Sequence, residues 1–247
     1  MAMGDLAAVL ESLRPAPGGW DLVGADAEGC ARVLGVDGVA VSVTPGSGLT
    51  ELLWATPGAS RQLEDLQFTL GQGPGPEAAS SGAPVLVPDL SAESPDRWPA
   101  LLPELVAVGI GAVFCLPLRL GKASLGALTL QRARAGPLGK SPLADAWTVT
   151  HALTAALVED GEAWQAFAEA EETSHFYRAA VHQASGMISV QAGVSLAEAL
   201  MRLRAYAYQQ GRPLLEVADD VVARRVRFRH DDGDEPGFVA GGGTEGS

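Results

Sequence analysis

Eight arginines and no lysine lie between residues 173 and 229. The planar guanidinium group can form paired hydrogen bonds with phosphates and base edges, which a lysine ammonium group cannot do. Tyr206 and Tyr208 lie in the same segment and supply rings on which an unpaired base could stack. These residue types are compatible with a site for unpaired nucleic acid, and packing in the core is an equally good explanation of each tyrosine.

The net charge changes sign twice along the chain. Residues 1–172 carry a net charge of −12, residues 173–229 carry +4 and residues 230–247 carry −5, for a total of −13. The total disfavours a polyanionic partner, whereas the positive middle segment is compatible with one. On charge alone, a solvated helical surface is the simpler interpretation of the arginines. Another interpretation applies to the last four, since cations stabilise the carbonyl end of a helix; these are Arg224, Arg225, Arg227 and Arg229.

The composition is that of a globular protein, because 47% of the 247 residues are hydrophobic and 19% are charged. This length suits one large domain or two small ones. No apolar stretch approaches the roughly 20 residues of a membrane span, and the N-terminus lacks the basic start and apolar run of a secretory signal. We therefore expect a cytoplasmic protein. Cys30 and Cys115 stand in apolar surroundings and are expected to be buried free thiols.

The first part of the chain predicts an α+β fold. Short strands joined by tight turns indicate a mixed, largely antiparallel sheet flanked by helices. The predicted strands are 36–44, 49–55, 83–90, 112–120 and 125–132. The glycine- and proline-rich segment 71–76 predicts a shaped loop.

A long connecting helix and a three-helix unit are predicted to follow. Residues 162–185 contain neither proline nor glycine, which favours one continuous helix. Gly193 is predicted to end the first short helix, and Ser195 and Glu198 form a capping box at the start of the second. Gly211 is predicted to end the second helix, and Pro213 to begin the third. Short amphipathic helices can bury their apolar stripes only against one another, so a three-helix unit is expected.

No catalytic or metal-binding motif is recognisable in the sequence. The segment Gly139-Lys140-Ser141 resembles the end of a phosphate-binding loop, but Arg134 occupies the position of the required first glycine. The four histidines have no cysteine partner at metal-ligand spacing, and no nucleophile elbow or clustered carboxylate pair is present. We therefore expect neither an enzyme nor a bound metal or organic cofactor.

Residues 20–160 resemble a GAF domain of the kind found in actinobacterial regulators. Four motifs that occur in order carry the resemblance: Leu66-Gln-Phe-Thr-Leu-Gly-Gln-Gly-Pro74, Ser81-Gly-Ala-Pro-Val-Leu-Val-Pro-Asp89, Arg97-Trp-Pro-Ala100 and Phe114-Cys-Leu-Pro-Leu118. The resemblance implies a sensor domain with a small-molecule pocket between the sheet and its helices. The residues expected to line this pocket are Trp54, Phe68, Trp98, Phe114 and Cys115, with core packing as the alternative.

Residues 173–225 resemble an ANTAR domain, the three-helix RNA-binding module of antitermination proteins. The matching motifs are Arg178-Ala-Ala-Val-His-Gln-Ala-Ser-Gly186, Gly193-Val-Ser-Leu-Ala-Glu-Ala199, Leu203-Arg204, Tyr206 and Val217-Ala218. The family usually has lysine where this chain has Ser185, so a basic residue expected near the RNA is missing. The RNA-contacting residues that the resemblance implies are Arg178, Gln183, Ser185, Gly186, Arg202, Arg204, Tyr206 and Arg212.

The two resemblances imply a signal-responsive antitermination regulator. The domain order would be a GAF sensor domain over residues 1–160, a connecting helix with the ANTAR domain over 161–230, and a disordered acidic tail over 231–247. Such a protein would be a homodimer that binds stem-loop RNA under the control of a signal, such as a small-molecule ligand, at the GAF domain. Two alternatives stay open: a DNA-binding transcriptional regulator that uses the same arginines, and a sensor or dimerisation scaffold that binds no nucleic acid.

Overall fold

The computed structural model describes residues 3–13, 26–44, 50–159 and 176–228. These residues belong to two compact units, one formed by the described residues up to 159 and the other by residues 176–228. Much of the predicted connecting helix falls on residues 160–175 and lies outside the described residues. The acidic tail also lies outside them.

The first unit is built on a five-stranded antiparallel sheet, which confirms the predicted fold class. The strands are β1 (Gly38–Val43), β2 (Glu51–Ala55), β3 (Val85–Val87), β4 (Ala112–Leu120) and β5 (Ala123–Arg132). Their order across the sheet is β2-β1-β5-β4-β3, and every neighbouring pair is antiparallel. β2 and β3 are therefore the edge strands.

Helices cover both faces of this sheet. They are α1 (Met3–Ser12), α2 (Ala27–Leu34), α3 (Ala59–Leu70), α4 (Pro74–Ser81), α5 (Leu102–Val108) and α6 (Lys140–Glu159), with a short 3-10 helix at Leu90–Ala92. One apolar cluster joins the sheet to α1, α2 and α6, and a second joins it to α3, α4 and α5. The sheet is thus the middle of three layers.

The alternation of side chains along β4 separates the two clusters. Successive residues of a strand point to opposite faces of the sheet. Phe114 and Leu116 belong to the cluster of α1, α2 and α6, whereas Val113 and Cys115 belong to the cluster of α3, α4 and α5. The first seven residues of β4 are buried without interruption because each face is covered by helices.

The loop predicted over residues 71–76 is shorter than expected, because α4 begins within it. Pro74 occupies the first turn of α4, where its missing N–H group has no helical partner to lose. The Gly75 N–H donates to Oε1 of Gln67 at 2.7 Å, so a side chain of α3 caps the next helix. Gly73 has a φ of 139°, and a Cβ there would lie 2.6 Å from the same Oε1 atom. The prediction of a loop beyond residue 73 is therefore wrong.

A buried polar network joins α3 to β1 and α4. Glu64 is buried, and its carboxylate accepts hydrogen bonds from the hydroxyl of Ser42 and, at 3.0 Å, from Nε2 of Gln67. A buried carboxylate requires such donors because it has lost its contacts with water. Gln67 uses its amide group for Glu64 and its carbonyl group for Gly75, and so links two helices.

The second unit consists of α7 (Phe176–Ala192), α8 (Leu196–Gln209) and α9 (Leu214–Val222). Gly193 follows α7 with a φ of 67°, and Ser195 Oγ accepts a hydrogen bond from the Glu198 N–H at 3.2 Å, as the predicted cap requires. Pro213 precedes α9 as its N-cap, one residue earlier than predicted. The apolar stripes of the three helices are buried; they include Val181, Ala184, Ile188, Leu200, Leu203, Ala207, Val217 and Val221.

Gln67→Met is expected to reduce the free energy of unfolding by about 2–6 kcal/mol. The substitution roughly preserves side-chain volume. It leaves the buried Gly75 N–H without its acceptor and the buried Glu64 carboxylate without one of its donors, at a cost of about 1–3 kcal/mol for each group. Gln62→Met, on the exposed side of the same helix, is the matched control and should change stability by less than about 0.5 kcal/mol. Urea unfolding followed by circular dichroism measures both. Equal effects would contradict the linking role of Gln67.

Candidate nucleic-acid interface

An open groove on the second unit brings together two of the predicted contact residues, Gln183 and Gly186. Its floor is one face of α7, and its opposite wall is the segment that follows α9. We call it the arginine groove; it is lined by Gln183, Gly186, Met187, Val190, Gln191, Arg224 and Arg227. Its volume is about 580 Å³, within the range of about 300–1,000 Å³ that is usual for ligand sites.

The wall of the arginine groove is fixed by contacts near both of its ends. The guanidinium group of Arg225 lies 2.6 Å from Oδ1 of Asp220 in α9. The Phe228 N–H donates to Oε1 of Gln191 at 3.0 Å. The buried ring of Phe228 also packs edge-on against Tyr206, with 5.6 Å between the ring centroids. The groove is therefore part of the folded unit.

Arg224 begins this wall in the left-handed backbone region, with a φ of 61°. Among the described residues, no other residue except glycine has a positive φ. Helices often end on a glycine in this conformation, because a Cβ makes it less favourable by about 1–2 kcal/mol. Here an arginine occupies the position, and its side chain lines the groove.

Asp220 binds two guanidinium groups and thereby joins the segments on either side of α9. Its Oδ2 lies 2.8 Å from Nη1 of Arg212, and its Oδ1 lies 2.6 Å from Nη2 of Arg225. The hydrogen bond from Arg212, followed by that from Arg225, holds the pKa of Asp220 below its usual value. Arg212, a predicted RNA contact, is thus engaged within the unit.

Three further predicted contacts on α8 also take part in the packing of the unit. Arg202 pairs with Glu198 one turn away, at 2.8 Å. Arg204 is half-buried, with its Nε atom enclosed by protein. Tyr206 is half-buried against Phe228. Their roles in RNA binding stay predictions, and each side chain has a structural role besides.

Ser185 does not lie at the surface, which contradicts its prediction as an RNA contact. Its side chain is fully buried between the helices, and its hydroxyl donates to the carbonyl oxygen of Val181 at 2.8 Å. This hydrogen bond to the preceding turn satisfies the hydroxyl inside the core. Arg178 lies in α7, but its side chain falls outside the described part of the chain.

The five residues expected to line a pocket in the first unit do not face one space. Trp54 and Phe114 belong to the cluster of α1, α2 and α6, whereas Trp98 and Cys115 belong to that of α3, α4 and α5. Phe68 is buried as well. Phe114 and Cys115 are consecutive on β4 and therefore point to opposite faces of the sheet. The expectation of a single pocket lined by all five is wrong.

Trp98 instead connects α4 to the segment before α5. Its indole N–H donates to Oε2 of Glu77 at 3.1 Å, and the guanidinium carbon of Arg97 lies 4.5 Å from the centroid of its ring. Arg97 also pairs with Glu77 at 2.7 Å and with Glu93 at 2.8 Å. The Arg-Trp motif therefore has a structural role in this unit.

Both cysteines are buried free thiols, as the sequence predicts. Burial raises the pKa of Cys30 to about 12 and also raises that of Cys115. The thiolate is the form that reacts with oxidants, so neither cysteine is suited to redox sensing.

Within residues 3–13, 26–44, 50–159 and 176–228, no group of three or more His, Cys, Asp or Glu side chains is placed to hold a metal ion. None of the helices in these ranges is long and apolar enough to cross a lipid bilayer.

The sequence prediction missed most of the arginine groove. The helical spacing of this segment predicts that one face of α7 carries Gly186, Met187, Val190 and Gln191 together. The sequence places Arg224 and Arg227 among the eight arginines of the positive segment, with the carbonyl end of the last helix as their alternative role, and does not place them at a groove. Their position opposite α7 depends on the turn after α9, and the glycine that would have marked this turn is absent.

Models of two protein families match the chain: the GAF domain model matches residues 27–157, and the ANTAR domain model matches residues 175–222. No curated relative matches the chain in sequence.

The GAF domain of a phosphoenolpyruvate-protein phosphotransferase from Coxiella burnetii is similar, with a TM-score of 0.50 and 16% identity over 65% of this chain and 95% of that one. The GAF domain of the Acinetobacter phosphoenolpyruvate-protein phosphotransferase has a TM-score of 0.48 and 11% identity, over 66% of this chain and 96% of that one. The first of these two likenesses shows a shared fold.

Asp220→Asn is expected to lower the stability of the second unit at neutral pH, because it weakens the tie to Arg212 and Arg225. Folding lowers the pKa of Asp220, so the ionised carboxylate contributes to the free energy of unfolding. This contribution is complete above the usual aspartate pKa of about 4, and it is lost as the pH falls through the lower pKa of the folded state. The difference in unfolding free energy between wild type and variant should therefore shrink below about pH 4.

Urea titrations between about pH 7 and pH 3 test this expectation. Asp219→Asn is the control, because Asp219 is the exposed neighbour on α9 and pairs with no arginine in the described ranges. A difference for Asp220→Asn that stays constant over the whole pH range would contradict the assignment.

A thiol reagent such as Ellman's reagent should label neither cysteine of the native protein at about pH 8, because the thiolate is suppressed and both side chains are enclosed. Both should react after unfolding in guanidinium chloride. Rapid labelling of either cysteine in the native protein would show that it is accessible and reopen a redox role.

Proposed function

The chain belongs to the GAF domain family and carries an ANTAR domain, and from this premise we propose that it is a signal-responsive transcription antitermination regulator. The ANTAR domain binds stem-loop RNA in nascent transcripts and so favours readthrough of a terminator. The GAF domain receives the signal that controls this binding. The protein acts by binding and carries out no chemical step.

The observation that carries this proposal is the pair of exposed arginines in the arginine groove. Arg224 and Arg227 form no ion pair with any other residue in the described ranges. Arg202, Arg212 and Arg225 of the same domain are each paired with a carboxylate. In a protein with a net charge of −13, the uncompensated pair produces a local positive surface. Such a surface attracts the phosphates of a nucleic acid.

Two arguments favour a hairpin loop as the partner. ANTAR domains generally bind RNA. In duplex RNA the major groove is too deep and narrow for side chains to read, whereas a loop presents unpaired bases that can stack on protein surfaces. The arginine groove is open and concave, which suits a splayed base better than the convex outside of a duplex.

We further propose that the protein is a homodimer. Two ANTAR domains held together would bind two neighbouring hairpins more tightly than one domain binds one, because the second contact forms at a high effective concentration. GAF domains generally bind small molecules. A ligand that binds one arrangement of the dimer more tightly would therefore change the affinity for RNA. By thermodynamic linkage, bound RNA would change the affinity for the ligand by the same factor.

Titration of the full-length protein with a hairpin RNA and with a duplex DNA of matched sequence tests the proposal. We expect a preference for the hairpin, and an affinity that falls at least about tenfold between about 50 and 200 mM salt as phosphate contacts are screened. A preference for DNA would support the DNA-binding alternative, and no salt-sensitive binding to either would support the scaffold alternative. A reporter gene placed behind a terminator then measures whether the protein increases readthrough.

A further inference from the structure

Gly186 occupies a position where the fold of this chain does not require a glycine. It lies inside α7, and a Cβ built on it would meet no atom within 4 Å. Glycine in a helix interior is less favourable than alanine, because it loses more backbone freedom on folding. The missing Cβ leaves space on the floor of the arginine groove.

Another residue of the arginine groove is also placed against a local preference. Arg224 adopts the left-handed conformation that glycine would adopt more easily. Val190 on the floor of the groove is 87% exposed and so offers apolar surface to a ligand. Departures from local rules tend to concentrate where a protein binds or reacts. Two such departures beside one groove, Gly186 and Arg224, indicate that the groove is shaped for a ligand.

We propose that the arginine groove binds one unpaired nucleotide of the RNA loop. The base lies on the floor formed by Gly186, Met187 and Val190, where the missing Cβ allows a flat ring to approach α7. Arg224 and Arg227 bind the phosphates on either side of this nucleotide. The assignment rests on the proposed function, because it takes RNA as the ligand.

The amide side chains at the two ends of the floor provide hydrogen bonds for the edge of the base. Gln183 is exposed and precedes Gly186 by one turn of α7. Gln191 is half-buried, and its carbonyl oxygen is occupied by the Phe228 N–H. Its NH2 group therefore supplies a donor of fixed orientation, whereas the Gln183 amide can act as donor or acceptor. Fixed groups lower the entropy cost of binding.

The charges and the shape of the groove favour a nucleotide over a segment of protein. Neither wall arginine has a carboxylate partner among the described residues, so both guanidinium groups are available to an anionic ligand. The floor combines a glycine, a methionine and a valine without a deep apolar hole, which suits a flat ring better than a branched side chain.

Two substitutions test this assignment because their effects on stability and on binding have opposite signs. Gly186→Ala should raise the Tm of the ANTAR domain by a few degrees, because alanine is the better helix former. It should weaken hairpin binding about tenfold, because the added methyl group fills the floor of the groove. The salt slope, which is the change of log affinity with log salt concentration, should stay the same because no charge is removed. Arg224→Gly should also raise the Tm, but it should weaken binding about tenfold and reduce the salt slope by about one, because one phosphate contact is lost.

Two control variants separate these effects from stability and net charge. Ala205→Gly lies at an exposed position of α8 outside the groove and should lower the Tm without changing RNA affinity. Lys122→Gln removes one exposed positive charge from the GAF domain and should leave affinity and salt slope unchanged. The probe is a pool of hairpin RNAs with a fixed stem and a randomised loop, compared with the same stem as a blunt RNA duplex. All variants are made in the full-length chain.

The outcomes distinguish the groove assignment from the proposed function. If the wild type does not bind the hairpin pool, both fail. If it binds hairpins but Gly186→Ala and Arg224→Gly bind equally well, the proposed function stands and the groove assignment is overturned. If Gly186→Ala changes the oligomeric state in analytical ultracentrifugation and leaves RNA affinity unchanged, the groove contacts a second copy of the chain, and the assignment is again overturned. Weakened binding by both variants with the two expected salt slopes supports it.

Discussion

The geometry of the arginine groove depends on one carboxylate, that of Asp220. It holds Arg212 before α9 and Arg225 after it, so the chain on both sides of this helix is attached to the helix itself. Exposed ion pairs contribute little to stability individually. The ion pairs of Asp220 matter because they position the segment after α9. Arg225 lies in the chain between Arg224 and Arg227, the two arginines that line the groove. Contacts of Arg225 with Asp220 and of Phe228 with Gln191 hold this wall in place without a ligand. Binding therefore does not have to offset the entropy cost of ordering the wall.

The sequence predicted those elements whose signals are local. Ser195 caps α8 through a residue three positions away, and the strands follow from short apolar runs between turns. The start of α4 was missed because its cap comes from Gln67, in the preceding helix. Ser185 was assigned by family likeness, but its place on the buried stripe of α7 puts it in the core. The strand pattern alone excludes a single pocket lined by both Phe114 and Cys115, because consecutive strand residues face opposite sides of the sheet.

Arginine has two different uses in this chain, and net charge does not distinguish them. Arg97 lies between two carboxylates and over the ring of Trp98, where it holds part of the GAF domain together. Arg224 and Arg227 have no such partners in the described ranges and form one wall of an open groove. Acidic residues outnumber basic ones by 30 to 17, and Arg202, Arg212 and Arg225 of the same domain each have a carboxylate partner. The arginines that are available to a ligand are therefore identified from the ion pairs of the folded structure and not from the net charge.

The edge strand β3 restricts how copies of this protein can associate. It is only three residues long, with Pro84 before it and Pro88 after it. Proline cannot donate a backbone hydrogen bond to an added strand, and so short an edge offers few free donors and acceptors. Two sheets cannot readily join along this edge into a continuous larger sheet, which also protects the domain against edge-to-edge aggregation. A dimer of the proposed kind is therefore expected to form through other surfaces, such as those of the helices.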